Sequence, residues 1–584
     1  MSAAAEPKRP RLWKYLLVAV ILLAILIPAW AAFVVLVIEP QALTQEPSMA
    51  KQLMWFVAAP VLVVFGVVGG GWQSAMAQSK PSPEQIKPTQ AATQAPAVAA
   101  GEQAKREYVL EVISLGVTLD KYRQGKLWEA LGKGHPVASI REQDPKKYPW
   151  SADEKEGVEG LRSGDSLENG AKFTPMYWGV PTFAAVSPAD DSKEPVSITN
   201  PTVGLPAAAT SSGMAWNLFI AAGWQLSERP DRLLEKVFAF FDQYPDVPYV
   251  VLSGADGLYF RNLYRPKGTP PLIKDGNYIP EMPDSSALFV LARRERVEAV
   301  RPFAFEDADD EKMLPDELNK KGFARRLFLA YANLQETVPQ PKGSAGRNPT
   351  VAEWLSATRT FTQREDIYPK GTSLLHPFHN GPSKDFKPKP WFPLPWNKSQ
   401  LAVFDKLPTL GYLHRPVFVP MVNKEGKPLT RRDERTAALA AGWQQALQTL
   451  PEAERKAAPA RVVEATGGNV DQVIALTSVF SAWAEQGGPE IDKGKPTQWI
   501  NTDARLGNTG AATWFMQMAI GVMGSYREGG TSAAINLRDP NEASIVLITP
   551  PPEAKRRAQQ HPAGGDVFRH YATPAIDPAN YEQK

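Results

Sequence analysis

Between residues 108 and 551, short apolar runs of strand character alternate with longer helical patterns, and the series runs through twice. The first series holds "YVLEVISLGVT" (108–118) as a strand and "LDKYRQGKLWEALGKG" (119–134) as a helix closed by glycine. "TSSGMAWNLFIAAGWQLSE" (210–228) reads as a helix, "PYVVLSGADG" (248–257) as a buried strand, and "SSALFVLARRERVEAV" (285–300) as a strand leading into a helix. The second series holds strands at 410–422, 460–468, 532–539 and 544–551, with helices at 433–450, 469–488 and 508–526. Strands alternating with helices demand mostly parallel sheets covered by helices, so the fold class is α/β. The repetition predicts two related halves. Between them, the Pro- and Trp-rich stretch 338–400 reads as an insertion and a candidate contact surface.

Ahead of this part, "YLLVAVILLAILIPAWAAFVVLVI" (15–38) and "LMWFVAAPVLVVFGVVGGGW" (53–72) are uncharged and long enough to cross a bilayer, which takes about 20 residues. Lys8, Arg9, Arg11 and Lys14 precede the pair, and Lys80, Lys87, Lys105 and Arg106 follow it. The intervening loop, 39–52, carries Glu39, Glu46 and only Lys51. Positive charge therefore places both ends inside, which predicts a two-pass protein of a bacterial inner membrane with its large domain cytoplasmic. The 73–106 segment is a Pro/Ala/Gln tether. A net charge of +3 is too small for a nucleic-acid surface. With no cysteine, disulfides, thiolate metal sites and cysteine nucleophiles are excluded.

Several motifs tempt and fail. "GDSL" (164–167) spells a lipase and esterase signature with Ser166 as nucleophile, but polar, loop-like sequence precedes it where a strand should, and no histidine follows an aspartate at the required spacing of three. His376 and His379 in "HPFHN" flank Pro377, which opposes the helix that would put both on one face. "EDADDE" (306–311) lacks the glycine and spacing of a calcium loop. No metal or cofactor is expected. In "GVMGSYREGG" (521–530), Ser525 lies late in a helix whose C-terminus a glycine caps.

The order of the pieces resembles the thiolase-like fold of β-ketoacyl synthases. "ATSSGMAWNLFIAAGWQL" followed by "YVVLSGADGL" resembles their nucleophile helix and the strand after it, while "VVEATGG" and "RLGNTGAA" resemble their two histidine motifs. The resemblance implies a two-half, layered αβαβα domain. It places the family's cysteine on Thr210 and its histidines on Thr466 and Asn508, so all three catalytic positions are replaced. A threonine without a histidine base is not an activated nucleophile, and asparagine shuttles no proton near neutral pH. Condensing activity is not expected.

More narrowly, the double span, the tether, "REYVLEVISLGVTLDKYRQGKLWEAL" and "HPAGGDVFRHYATPAIDPANY" resemble a bacterial family that includes adaptors for type VI secretion lipase effectors. That resemblance implies a non-enzymatic protein that binds a lipase effector in the cytoplasm and hands it to a secretion spike protein. A homodimer is the expectation by analogy with thiolase-like proteins. The alternative is an acyl-binding or acyl-thioester hydrolysing enzyme with Thr210, Ser211 or Ser212 as nucleophile. The expected segments are 1–14 basic, 15–38 and 53–72 transmembrane, 39–52 external, 73–106 linker, 107–300 first half, 301–405 insertion, 406–552 second half and 553–584 tail.

Overall fold

The computed structural model describes residues 109–137, 144–187, 209, 214, 216–307, 322–339, 347–364, 367, 381–383 and 385–571. The two apolar runs at 15–38 and 53–72, the tether, Thr210, Ser211, Ser212, His376, His379 and residues 308–311 of the acidic run lie outside them. Among the described residues, no helix is long and apolar enough to cross a membrane.

The first half holds β1 (Val109–Leu119), a short β2 (Tyr122–Arg123), α1 (Gly125–Gly132), α2 (Ala152–Ala171), β3 (Gly179–Val186), β4 (Leu218–Leu226), α3 (Arg232–Gln243), β5 (Tyr249–Asp256), α4 (Leu258–Leu263) and β6 (Ser285–Ala292). Three helices follow: α5 (Phe323–Thr337), α6 (Val351–Thr358) and α7 (Lys398–Asp405). The second half holds β7 (Gly411–His414), β8 (Val417–Pro420), α8 (Arg432–Gln448), β9 (Arg461–Ala465), α9 (Val470–Glu485), β10 (Trp499–Asn501), α10 (Thr502–Leu506), α11 (Thr513–Glu528), β11 (Ser532–Asn536) and β12 (Glu542–Thr549), and α12 (Glu553–Ala558) follows.

The two halves repeat one topology. Their strands lie in the orders β4-β3-β5-β6-β1 and β10-β9-β11-β12-β7. In each, the three strands farthest from the junction run parallel, and the fifth in sequence (β6 or β12) is antiparallel to both neighbours. The halves join where β1 pairs antiparallel with β7, Val109 opposite His414 through Val112 opposite Gly411.

Helix α11 packs against β6 of one half and β9, β11 and β12 of the other. It is buried from Thr513 to Tyr526, as a helix apolar all round must be. Its small residues permit the close approach: a Cβ on Gly521 would stand 2.4 Å from Ile548, and one on Gly524 would stand 2.8 Å from Trp128. Gly529, at φ 75°, caps it. Ser525 is fully buried against Ser532, 2.7 Å between hydroxyls, and donates to the carbonyl of Ile548. Helix α3 also spans the halves, because Arg415 pairs with its Glu235 and Asp242.

Three expectations for single elements are corrected. Within the helix expected over 210–228, residues 218–226 are strand β4, in parallel register with β3; this run of small and apolar residues suits a helix too, and Gly223 lets Phe183 lie across it. The polar stretch before "GDSL" is helix α2, opened by a Ser151–Glu154 capping box. Its buried face carries Lys155, Glu159, Asp165 and Asn169, so no apolar stripe announces it. Glycine permits its close contact with the sheet, since a Cβ on Gly116 of β1 would meet the Ser166 carbonyl at 1.8 Å. The strand expected over 410–422 is two strands, broken at Arg415 and Pro416.

The aromatic stretch 391–396 is core rather than contact surface, with Trp391 and Trp396 each 1% exposed. Trp178 stacks on Phe392, centroids 5.6 Å apart, and meets Trp396 edge-on.

Residues 553–571, expected as tail, form a strap that returns to the first half. The Gln559 side chain pairs with both backbone groups of Thr409, and Gly125 N–H donates to the Phe568 carbonyl. His570 Nε2 lies 2.9 Å from Asp165 Oδ1, and Tyr571 N–H donates to Asn169. His561 packs edge-on against Phe173, and burial together with the nearby Arg569 pushes its imidazole down to about 4. Because the unfolded chain takes up that proton below about 6.5, the strap loses stability as pH falls from 6.5 toward 4. Unfolding titrations at pH 7 and pH 5 should show wild type losing about 1–2 kcal/mol more than His561→Gln over that interval.

Candidate functional site

In an α/β protein the carboxyl ends of parallel strands are where a site is normally built. Here β4 runs into 227–231 and then α3, β5 into Asp256 and Gly257, β9 into Thr466–Gly468, and β11 into Leu537–Asp539. The 507–512 loop brings in the N-terminal end of α11.

Asp256, 1% exposed, sits at the centre. Its Oδ1 accepts from Gly257 N–H and Arg261 Nε, both at 2.8 Å, and its Oδ2 accepts from Arg261 and from Ala511 N–H, both at 2.7 Å. Burial pushes its carboxyl above the usual range, while the Arg261 guanidinium and the two amides pull it back. Arg261 also pairs with Glu228. The amide of Ala511, a ready anion donor at a helix start, is thus already taken by an internal carboxylate.

Around this centre the other polar groups are engaged. Arg538 donates to Asn508 Oδ1 at 2.9 Å, to the Gly510 carbonyl at 3.0 Å and to Thr513 Oγ1 at 2.6 Å. Asp231 accepts from Asn536 across the halves and pairs with Arg229, which lies 3.8 Å from Asp539. Gly510, at φ 50°, is obligatory: a Cβ there would stand 1.8 Å from Asp256 Oδ2.

The predicted positions fall as follows. Thr210 lies outside the described residues. Thr466 is buried after β9, its N–H held at 2.7 Å by Asp503, with no hydrogen-bond partner for its hydroxyl among the described residues. Asn508 is exposed and engaged by Arg538. The described helix directly before "YVVLSGADGL" is α3, entered from the 227–231 loop. That loop offers Ser227, whose hydroxyl accepts from the Arg229 amide, and no histidine.

The described histidines act elsewhere. His414 bonds Thr449 and Thr549, His570 bonds Asp165, and His561 accepts from Ala563 N–H. Ser166 sits mid-helix, its hydroxyl 2.6 Å from Ser286, so "GDSL" builds no nucleophile. Asp307 accepts the first amides of α5, a capping role for the acidic run. Among the described residues, no cluster of three or more histidines and carboxylates is placed to hold a metal ion.

Sequence reasoning missed Glu464, two residues before Thr466. It is fully buried on β9, and burial, with Asp503 nearby, pushes its carboxyl up to about 8. Its only signal was a lone carboxylate in the apolar run "ARVVEA".

Two family models match the chain, both described as type VI lipase adapter protein Tla3: the N-terminal model over residues 108–275 and the C-terminal model over 410–550. Together they span more than half of the 584 residues. The chain belongs to the Tla3 family of type VI lipase adapter proteins. The solved structures it is similar to include a ketosynthase of the bacillaene synthase from Bacillus amyloliquefaciens, at 10% identity and TM-score 0.36, covering 77% of each chain. A thiolase from Ascaris suum, in complex with coenzyme A, matches at 11% identity and TM-score 0.32, covering 76% of this chain and 100% of that one. Likeness at these scores carries no argument about chemistry.

Two outcomes follow from the geometry. Gly510→Ala should drive a methyl into Asp256 and destabilise the fold by about 3 kcal/mol or more, read as a lower denaturation midpoint. Glu464 is protonated in the folded chain and ionised in the unfolded one between about 4.5 and 8, so stability falls as pH rises through that window. Glu464→Gln should therefore be the more stable variant at pH 8, by about 2 kcal/mol, with the advantage shrinking toward pH 5.

Proposed function

We propose that this chain is a non-enzymatic adaptor that binds a type VI secretion lipase effector in the cytoplasm and passes it to the secretion spike. The observation that carries the adaptor role is the match of both halves to adapter models. The non-enzymatic part rests on Asp256, whose carboxylate takes the Ala511 amide in the turn that leads into α11, and on the absence of cysteine. Acyl-transfer chemistry needs free oxyanion donors and an activated nucleophile beside them. Tethering to the inner membrane through 15–38 and 53–72 rests on their length, lack of charge and basic flanks.

Full-length chain co-expressed with its cognate lipase in detergent-solubilised membranes should co-purify as a complex at micromolar concentration; two separate peaks would overturn the adaptor reading. Acyl-thioester hydrolysis should stay at background. Turnover that disappears in Thr210→Ala would overturn the non-enzymatic part.

A further inference from the structure

Two cavities, of about 290 Å³ and 540 Å³, share Lys406 and Pro562 in their walls and so form one trough. Helix α7 and the 405–409 turn form its floor, the 172–177 turn one wall, and the strap the other. Strap and floor are fixed to each other by the paired bonds between Gln559 and Thr409, so the trough is preformed. Its narrower part mixes apolar Phe173, Met176 and Val403 with polar Asn397, Ser399 and Gln400, and Met176 stays 39% exposed there.

The rim is cationic beyond what the protein itself neutralises. Lys172 is answered by Glu168, and the rim carboxylate Asp405 is taken by Arg301. Glu111 bonds Arg294 directly and also faces Lys555, while Asp405, shared with Arg301, faces Arg294 as well. Lys406 is exposed with no ion pair among the described residues. Burial holds the Lys555 ammonium below its usual range, against the pull of Glu111 and with a smaller push from Arg294.

We propose that this trough receives an extended, acidic segment of the lipase effector, its carboxylates on Lys406 and Lys555 and an apolar side chain beside Met176. Charge complementarity selects the occupant: a partly apolar slot under an unmatched cationic rim fits a chain carrying both kinds of group. The proposal rests on the adaptor reading given above and names its surface.

The test is biolayer interferometry of the full-length chain against its cognate lipase. Wild type is compared with Lys406→Glu/Lys555→Glu, with Lys406→Met/Lys555→Met, and with the charge-matched control Lys424→Glu/Lys427→Glu, whose lysines lie on an exposed turn. The reversal pair should weaken binding about tenfold or more, the methionine pair less, and the control pair less than twofold, with unchanged melting temperatures. Added salt should narrow the gap between wild type and the reversal pair. Affinity within twofold of wild type for the reversal pair, or equal losses from the reversal and control pairs, would overturn the trough as the binding surface. So would intact lipase binding with lost affinity for phosphatidylserine-containing vesicles, which makes the trough a membrane contact. If wild type binds no lipase, the adaptor reading falls and takes this proposal with it; if wild type binds and the reversal pair binds equally, only this proposal falls.

Discussion

A single buried carboxylate organises the meeting of the two halves. Asp256 ends a strand of the first half and accepts the amide of Ala511, at the start of the helix that lies against both sheets. Its second partner, Arg261, reaches on to Glu228 at the end of β4. Removing one member of such a set strands the other charge away from water, at about 3–5 kcal/mol. The geometry is possible only because position 510 has no side chain. What would otherwise be the open end of an α/β fold is closed by the protein's own ions.

That closure separates architecture from chemistry. A helix start facing strand ends is an anion site by construction. When the anion is internal, the site contributes stability, and recognition has to move to another surface. The trough beside the strap, lined by other residues than those strand ends, is where apolar area and unmatched charge remain together.

Much of this fold was legible in the sequence, because most elements announce themselves by apolar periodicity. Strands β1, β5, β6, β9, β11 and β12 and helices α8, α9 and α11 fall close to their expected spans. The misreadings share a physical origin. Helix α2 buries charged and polar residues against glycines of the sheet, so its inner face has no apolar stripe. Strand β4 is built from small apolar residues that suit a helix equally well, and only pairing with β3 decides it. The aromatics at 391–396 looked like an interaction surface because prolines deny them regular structure, yet packing on Trp178 buries them. Motif alone singled out Thr466 and Asn508, whereas the contact between Asp256 and the Ala511 amide joins segments 255 residues apart, which no spacing encodes.

The strap has a consequence for how the molecule is made. Residues 561–571 complete the surface of a half by bonding a helix synthesised some four hundred residues earlier, and β1 itself waits for β7. A ribosome therefore releases the first half with an unpaired strand edge and an uncovered helix flank. Chains broken off before residue 561 keep that flank exposed, which gives proteases and chaperones a simple way to tell an interrupted copy from a finished one.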